Sequence, residues 1–368
     1  MTLRQTNPIE RLAQLLKPAG GGIHTVTTGK REQEALQCAI YGVDRPSEIE
    51  RAWRASLERL HRAKVIFLGV PSDVGAGFYR GASFAPQSLR QAMLADDAVP
   101  YATDAVVDAG DVWVVPQLLD DAMLSDEQLS ATRRDMYDDG NDPRPVSPLS
   151  LASAALRLIR EIAPAACPIV LGGDHSVAWP ALAVAAEGRA ERLGILHFDA
   201  HTDLLETRLG VRYCFATWAY HANDVIGRGG KLVQVGIRAS GRDREHWEST
   251  LGVRQHWASD VVGRDASGLA DEIIEHLRAR GVEGLYLSND IDGTDSAFAS
   301  ATGTPEPGGL HPDMVTTLIE RVGGAFPCWG SDLVEVAPPL AGAIAGEPET
   351  TLHTALRYLR AQIALGLR

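Results

Sequence analysis

The sequence has few cysteines and no long apolar run. Its four cysteines, Cys38, Cys167, Cys214 and Cys328, are widely separated and include no Cys-x-x-Cys pair, so neither a disulfide framework nor a zinc ribbon is expected. No apolar stretch approaches the roughly 20 residues that span a bilayer. The first 20 residues also lack the apolar segment and cleavage site of a secretory signal. We therefore expect a cytoplasmic protein with no membrane partner.

Basic residues are also in the minority. The chain has 35 Lys and Arg against 48 Asp and Glu, which gives a formal net charge of −13. Nucleic acids and anionic membranes are bound mainly through basic surfaces, so we expect no nucleic-acid partner. A small cationic substrate is compatible with this charge. The length of 368 residues is sufficient to bury a large core without disulfides.

Short apolar runs alternate with helical patterns from about residue 64 onwards. The first run reads VIFLGV, which is typical of a strand buried on both faces. The apolar runs are 65–70, 105–115, 167–173, 193–199, 231–237, 284–290 and 331–336. The helical patterns are 83–94, the segment that starts at Ser147-Pro148, 268–280, 312–322 and 348–365. This alternation predicts an α/β fold in which helices cover both faces of a mainly parallel sheet.

Two segments do not follow this alternation. The stretch 120–146 ends in an Asp-Asp-Gly-Asn-Asp-Pro run and is expected to be a long loop. Residues 1–62 are a polar leader with Gly20-Gly21-Gly22 in its first half. From Pro46 to Arg62 its apolar residues have helical spacing, at Ile49, Trp53, Leu57 and Leu60. We expect a partly helical N-terminal extension that packs on the main fold or on a neighbouring subunit.

Three of the predicted strands end in clusters of residue types that bind metals. The first ends in GGDHS (172–176), the second in HFDAHTD (197–203) and the third in SNDIDGTD (288–295). In parallel sheets, functional groups gather at the carboxyl edge, and alternate side chains of an extended segment share a face. The side chains of Asp199, His201 and Asp203 are therefore expected to converge, as are those of Asp290 and Asp292.

Burying these four carboxylates with the imidazoles of His175 and His201 would be very costly without a compensating charge. A single Asp-x-Asp or Asp-His pair is most often part of a turn, but three such clusters, each after an apolar run, favour a metal site. The set suits Mn²⁺, with Ni²⁺ as a further candidate, better than structural zinc. Its ligand number exceeds what one ion needs, which predicts two ions bridged by shared carboxylates.

The motifs GGDHS, DAHTD and S-x-D-I-D-x-x-D resemble those of the ureohydrolase family, which includes arginase, agmatinase, guanidinobutyrase and formimidoylglutamase. Residues 69–90 resemble the first strand, glycine-rich loop and helix of that family, and 331–340 its last core strand. The resemblance covers about residues 64–365. It implies a single three-layer α/β/α catalytic domain over 63–368 with an eight-stranded parallel sheet, preceded by the extension 1–62. It also implies a homotrimer or homohexamer.

The ligand set and the reaction follow from the same resemblance. Asp199 and Asp290 would bridge two Mn²⁺ ions, and Asp203 would also accept a proton from the attacking water. A water held by two close cations has a lowered pKa, so hydroxide is available at neutral pH. In this family that hydroxide cleaves a guanidino or formimino group. The implied metal ligands are His175, Asp199, His201, Asp203, Asp290 and Asp292.

Glu335 lies in the strand LVEV, where the resemblance places a carboxylate against the substrate guanidinium. A carboxylate pairs with this planar cation through two hydrogen bonds; an edge or capping glutamate is the alternative. The loop at 204–224 departs from the family pattern, because Cys214, with Tyr213 beside it, stands where relatives have a proton-shuttle histidine. Tyr213, Cys214 or a shifted His221 would replace the shuttle, although His221 is more simply an ordinary histidine on a helix face.

These departures argue against arginase itself. Aromatic residues in the loop, among them Tyr213 and Trp218, predict a substrate pocket that is smaller or more apolar than that of arginase. A cationic substrate there gains from attraction to the ring faces. We therefore expect hydrolysis of agmatine, a guanidino acid or guanidine to urea and an amine or ammonia. The alternatives are formimino-group hydrolysis, arginase activity, and a catalytically silent member that acts as a binding or regulatory subunit. The complete ligand set argues against the silent member.

Overall fold

The computed structural model of the protein describes residues 7–23, 25–77, 79–96, 101, 103–340 and 346–368. Within these residues, nine strands form a single sheet. The strands are β1 (Leu16–Lys17), β2 (Val65–Val70), β3 (Val106–Val112), β4 (Cys167–Gly172), β5 (Leu193–Phe198), β6 (Leu232–Ile237), β7 (Arg254–Trp257), β8 (Gly284–Asp290) and β9 (Cys328–Val334). Their order across the sheet is β1-β3-β2-β4-β9-β8-β5-β6-β7. Strands β2 to β9 pair in parallel, and β1 pairs antiparallel with β3.

Neighbouring residues of β2 face opposite hydrophobic cores. Ile66 and Leu68 belong to one buried cluster, whereas Val65 and Phe67 belong to the other. A strand with helices over both faces has apolar side chains at every position, which explains the continuous run VIFLGV. The predicted α/β architecture with eight parallel strands is confirmed, and β1 adds a short ninth strand at the edge.

Two groups of helices cover the two faces of the sheet. The helices are α1 (Pro8–Leu15), α2 (Lys30–Tyr41), α3 (Ile49–Leu57), α4 (Ala85–Leu94), α5 (Asp126–Tyr137), α6 (Pro148–Ile162), α7 (Ala178–Ala186), α8 (Trp218–Ile226), α9 (Arg244–Leu251), α10 (Ala258–Val261), α11 (Ala266–Arg278), α12 (Pro312–Gly324) and α13 (Glu349–Leu367). Helices α1, α6, α7 and α8 pack side by side on one face, and α11, α12, α13 and α4 on the other. None of the helices in the described ranges has the length and apolar character needed to cross a bilayer.

The polar sequence of 120–146 predicts one continuous loop, but this stretch contains helix α5. The N–H of Gln128 donates to Ser125 Oγ (3.2 Å), and the N–H of Ser125 donates to Gln128 Oε1 (2.9 Å). This capping box satisfies two N–H groups that would otherwise lack partners at the helix start. The Asp- and Gly-rich run begins only at Asp138, where the helix ends. The apolar pattern also misses β7, because its sequence, RQHW, contains few apolar residues.

The leader is anchored to the edge of the sheet. Besides the pairing of β1 with β3, the indole N–H of Trp53 donates to the carbonyl of Ala109 (2.9 Å). The N–H of Gly22 donates to the carboxylate of Asp111 (3.2 Å). The segment therefore packs on the main fold, which is one of the two arrangements expected. The residues predicted from helical spacing to face the core are all buried: Ile49, Trp53, Leu57 and Leu60.

Candidate metal centre

Four adjacent strands carry the predicted site residues at their carboxyl ends. His175 follows β4, Asp199 follows β5, and Asp290 ends β8. Strand β9 lies between β4 and β8 and is followed by Glu335. The strand order β4-β9-β8-β5 thus brings together residues that are up to 160 positions apart in sequence.

His175 is the centre of the first group of candidate ligands. Its Nδ1 lies 3.0 Å from Asp290 Oδ2, 3.1 Å from Asp203 Oδ2 and 3.3 Å from Asp199 Oδ2. All four side chains are buried. The 3-10 turn that carries His175 starts at Asp174, whose Oδ1 accepts the N–H of Ser176 (2.8 Å). This local cap directs the imidazole toward the ends of β5 and β8.

A second group shares Asp199 with the first. His201 Nδ1 lies 3.1 Å from Asp292 Oδ2 and 3.5 Å from Asp199 Oδ1. Asp292 is itself held by the N–H of Ala200 (3.0 Å) and the hydroxyl of Thr304 (2.8 Å). Because the two oxygens of Asp199 point to different imidazoles, its carboxylate lies between the two groups. This is the geometry that a bridging carboxylate needs.

The hydrogen bonds and the charged neighbours of His175 indicate that the first group fits a cation. The hydroxyl of Ser288 donates to Asp332 (2.9 Å), so its oxygen accepts from His175 Nε2 (2.9 Å). Nδ1 of the neutral ring then points a lone pair at three carboxylates. Burial lowers the pKa of His175, but these carboxylates outweigh burial and raise the pKa well above its ordinary value. A positive charge is therefore favoured at Nδ1, and a metal ion held here would supply it in place of a proton.

The charges of the whole cluster also indicate that it fits cations. Burial and the carboxylates of Asp292 and Asp199 raise the pKa of Asp290 well above its ordinary value. Burial lowers the pKa of His201, but Asp199 and Asp292 raise it, to about 12. Uncompensated buried carboxylates are costly, and the four in this cluster carry the charge that two divalent cations balance. The donor set of carboxylate oxygens and imidazole nitrogens therefore fits a pair of such ions.

Sequence reasoning missed His197 as a member of the site. Its Nε2 lies 2.8 Å from Asp199 Oδ2. Gln234 Nε2 donates to His197 Nδ1 (2.9 Å) and to the carbonyl of Thr202 (2.7 Å), while Gln234 Oε1 accepts from Gln255 (2.8 Å). Since Nδ1 accepts a hydrogen bond, Nε2 carries the proton and donates to Asp199. The alternate spacing of His197, near the end of β5, and Asp199, which follows it, is the signal that could have revealed this contact.

Glu335 lies directly beside the first group. Its Oε1 accepts the N–H of His175 (2.9 Å), and its own N–H donates to the carbonyl of Gly173 (2.9 Å). The residue has a φ of 60°, which is uncommon outside glycine. Burial and the nearby carboxylate of Asp174 raise the pKa of Glu335 well above its ordinary value. A cationic group placed here would relieve the cost of this buried acid.

The arginase family model matches residues 63–362. The chain belongs to the arginase family. The guanidinobutyrase of Pseudomonas aeruginosa is 31% identical over 296 residues, which cover 77% of this chain and 81% of that protein. The human mitochondrial guanidino acid hydrolase is 30% identical over 284 residues, which cover 74% and 71%. The structure of proclavaminate amidino hydrolase from Streptomyces clavuligerus is similar at a TM-score of 0.64 and 28% identity, covering 82% of this chain and 92% of that one. The ureohydrolase resemblance of the motifs is confirmed.

In this arginase-family protein, Trp218 lies behind the cluster. The aromatic sequence of its loop predicts instead that Trp218 lines an open pocket. Its side chain is fully buried. The indole N–H donates to Asp203 Oδ2 (3.1 Å), and the ring centroid lies 4.7 Å from that of His175. Asp203 has a φ of 53°, a conformation that aspartate tolerates better than most residues. Trp218 therefore contacts two candidate ligands, Asp203 and His175.

The other three loop residues named from the sequence have surroundings that differ from those of Trp218. His221 Nε2 lies 3.0 Å from the carbonyls of both Glu206 and Arg212, so it fastens the loop to α8. The ring of Tyr213 stacks on Trp179, with centroids 4.9 Å apart. Cys214 is buried, and burial raises the pKa of its thiol. This geometry agrees with the simpler interpretation of His221 as a histidine on a helix face.

A cavity of about 350 Å³ opens at the loop that carries Cys214. One wall contains Gly75 and Cys214, and a Cβ at Gly75 would lie 2.8 Å from Asp174 Oδ1. The lining is largely apolar and also contains Arg208, whose guanidinium lies 5.1 Å from the ring centroid of Phe215. The cavity therefore has a cation, Arg208, on a largely apolar lining, and the carboxylate of Asp174 lies close to its Gly75 side.

We expect the replacement of Gln234 by Leu to weaken metal binding roughly 10- to 100-fold, because partners of metal ligands typically contribute that much. The change removes the donor that fixes the His197 tautomer, so His197 no longer reliably donates to Asp199. Competition with a metal-chelating dye measures the affinity. Gln37→Leu is a matched control, since Gln37 is also buried but donates to Pro18 in the leader. Wild-type affinity in Gln234→Leu would show that the tautomer does not matter.

Proposed function

We propose that this arginase-family protein hydrolyses a guanidino compound to urea and an amine or ammonia. The proposal depends chiefly on Asp199, whose two oxygens face two separate imidazole and carboxylate groups. Two divalent ions, Mn²⁺ or alternatively Ni²⁺, would be held by the six side chains at the ends of β4, β5 and β8. These ligands are His175, Asp199, His201, Asp203, Asp290 and Asp292.

Such a pair of ions supplies hydroxide at neutral pH and stabilises negative charge on the reacting group. The chain itself contributes proton handling and orientation. Asp203 is the carboxylate best placed to accept a proton, because Trp218 fixes its Oδ2 beside His175. Burial and the charge of Asp199 raise the pKa of Asp203, which makes it a better base than an exposed aspartate.

Glu335 would bind and orient the guanidinium of the substrate. Its carboxylate is buried, one oxygen is held by the N–H of His175, and the other accepts no hydrogen bond from the described residues. A guanidinium is planar and always charged, and it pairs with a carboxylate through two hydrogen bonds. This pairing would place the central carbon of the guanidinium next to the cluster.

Among guanidino compounds, the cavity favours a guanidino acid over agmatine. Arg208 lines the cavity, is exposed and forms no ion pair with the residues described. Asp120 also lines it, but both of its carboxylate oxygens already accept hydrogen bonds, from the N–H of Ala122 (2.8 Å) and the hydroxyl of Ser150 (3.5 Å). A carboxylate tail would pair with Arg208, whereas a second amino group would be repelled by it. The names of the relatives from Pseudomonas aeruginosa and human, guanidinobutyrase and guanidino acid hydrolase, support this class.

A colorimetric urea assay over a panel of substrates tests the proposal. The full chain is reconstituted with Mn²⁺ or Ni²⁺ and given guanidinobutyrate, guanidinopropionate, agmatine, guanidine, L-arginine and formiminoglutamate. We expect urea from the guanidino acids at the highest kcat/KM. The variant Arg208→Gln should raise KM for these acids and spare agmatine, while Arg278→Gln on α11 serves as an exposed control.

The other outcomes separate the alternatives. Hydrolysis of L-arginine alone would identify arginase activity, and ammonia from formiminoglutamate without urea would identify formimino hydrolysis. Stoichiometric metal binding with no turnover of any compound would indicate a silent binding or regulatory subunit. Equal KM values for the acids in wild type and Arg208→Gln would reject the guanidino-acid preference.

A further inference from the structure

Two free cysteines meet at the end of the sheet opposite the metal centre. Cys167 begins β4 and Cys328 begins β9, and these strands are parallel neighbours. The two sulfur atoms are 2.9 Å apart although the residues are 161 positions apart in the chain. The candidate metal ligands follow the carboxyl ends of the strands, so neither thiol takes part in the site described above.

The backbone holds both sulfur atoms in this position. The N–H of Cys167 donates to the carbonyl of Lys64 (2.8 Å), and Cys167 is in register with Val65 of β2. Cys328 is in register with Leu285 of β8. A disulfide bond is about 2.05 Å long, so bond formation requires the sulfur atoms to approach by less than about 1 Å. We expect side-chain rotation to supply this approach, because each cysteine is held in register with a neighbouring strand.

We propose that Cys167 and Cys328 form a reversible disulfide when the protein meets a hydroperoxide. Cys328 is the partly exposed member of the pair, whereas Cys167 is buried. Cys328 is therefore the thiol that a peroxide reaches first, and Cys167 is the resolving thiol. The proposal does not depend on the activity proposed for the metal centre.

The pKa values of the two thiols are also shifted in opposite directions. The S–H of Cys167 donates to Cys328 Sγ and lowers the pKa of Cys328. The same contact, together with burial, raises the pKa of Cys167 well above its ordinary value. Because the thiolate is the reactive form, this difference supports the order in which the two residues react.

The chemistry balances with hydrogen peroxide as the oxidant. The sulfur of Cys328 attacks one peroxide oxygen, the O–O bond breaks, and a sulfenic acid and one water are formed. Cys167 then gives up its proton, and its sulfur attacks the sulfur of Cys328. The S–O bond breaks as the S–S bond forms, and the released hydroxide takes the proton to become the second water. The two thiols together lose two electrons, and peroxide is reduced.

The disulfide would tie together β4 and β9, the strands that lead to His175 and Glu335. A cross-link over 161 residues restricts the unfolded chain strongly. We expect the oxidised protein to unfold at a higher denaturant concentration than the reduced protein. Reduction by a dithiol should return the midpoint to its original value.

Thiol counting on the full chain tests the proposal directly. The protein is treated with hydrogen peroxide, quenched with catalase, unfolded and titrated with a thiol reagent. We expect the number of free thiols to fall from the four cysteines of the sequence to two, and dithiothreitol to restore four. Peptide mapping should show one cross-linked pair that joins the start of β4 to the start of β9.

Single variants define the role of each thiol. In Cys167→Ser the sulfenic acid on Cys328 should persist and react with dimedone, because the resolving thiol is missing. Cys38→Ser, in helix α2 of the leader, is the matched control and should form the same cross-link as wild type. The proposal is overturned if wild type retains four thiols, if another pair of cysteines is joined, or if Cys328 is oxidised to the sulfinic acid while Cys167 stays a thiol.

Discussion

Replacing Asp199 by Asn should reduce metal affinity by roughly 100-fold or more and remove hydrolytic activity. The carboxylate faces His175 through one oxygen and His201 through the other, so one change affects both halves of the cluster. Replacing a residue that hydrogen-bonds to a metal ligand already lowers metal affinity about 10- to 100-fold. Losing a ligand that two ions share should lower the affinity further. Asparagine has nearly the same volume, so the effect reports the lost charge.

Metal content and thermal unfolding together measure this effect. Elemental analysis after dialysis against Mn²⁺ should show two ions per wild-type chain and less than one in Asp199→Asn. Ions that bind only the folded state raise the unfolding temperature, so Mn²⁺ should shift wild type upward and leave the variant nearly unchanged. Asp265→Asn, at the exposed start of α11, is the matched control. Full metal content in Asp199→Asn would refute the bridging role of Asp199.

Replacing Glu335 by Gln should lower kcat/KM by at least roughly 30-fold without loss of metal. Removing one member of a buried, hydrogen-bonded charge pair costs about 2–5 kcal/mol, and tenfold corresponds to about 1.4 kcal/mol. The glutamine Oε1 can still accept the N–H of His175, so the turn that carries this ligand should be preserved. The loss would then come from the missing charge opposite the guanidinium.

Steady-state kinetics on a guanidino acid, with metal content measured in parallel, test this result. Glu283→Gln is the matched control, because Glu283 pairs with Arg192 at the surface (2.8 Å). Unchanged kinetics in Glu335→Gln would exclude contact of this carboxylate with the substrate. A parallel loss of metal would instead show that Glu335 acts through the position of His175.

Much of the architecture is predictable from local patterns. The run VIFLGV is apolar at every position because Ile66 and Val65 face different cores, and the same logic applies to the other central strands. The apolar pattern does not predict strand β7 or helix α5, and the reason differs between the two. The former is a polar edge strand with one neighbour, and the latter is mostly exposed, so neither has the apolar periodicity of a buried element.

The site is predictable only in part. The motif spacing identifies Asp199, His201 and Asp292 as candidate ligands because short-range geometry sets which side chains share a face. The contacts of His197 with Gln234, and of Trp218 with Asp203, involve residues on different elements. No local pattern predicts that the Trp218 ring lies against His175.

The amino-acid pattern alone therefore specifies the residue types that gather at strand ends, the parallel α/β class and the family. The tertiary structure decides that β9 lies between β4 and β8, which puts Glu335 beside His175 at one end and Cys328 beside Cys167 at the other. The reason is physical: spacing along a strand depends on a few residues, whereas strand order depends on the packing of all the helices over both faces of the sheet.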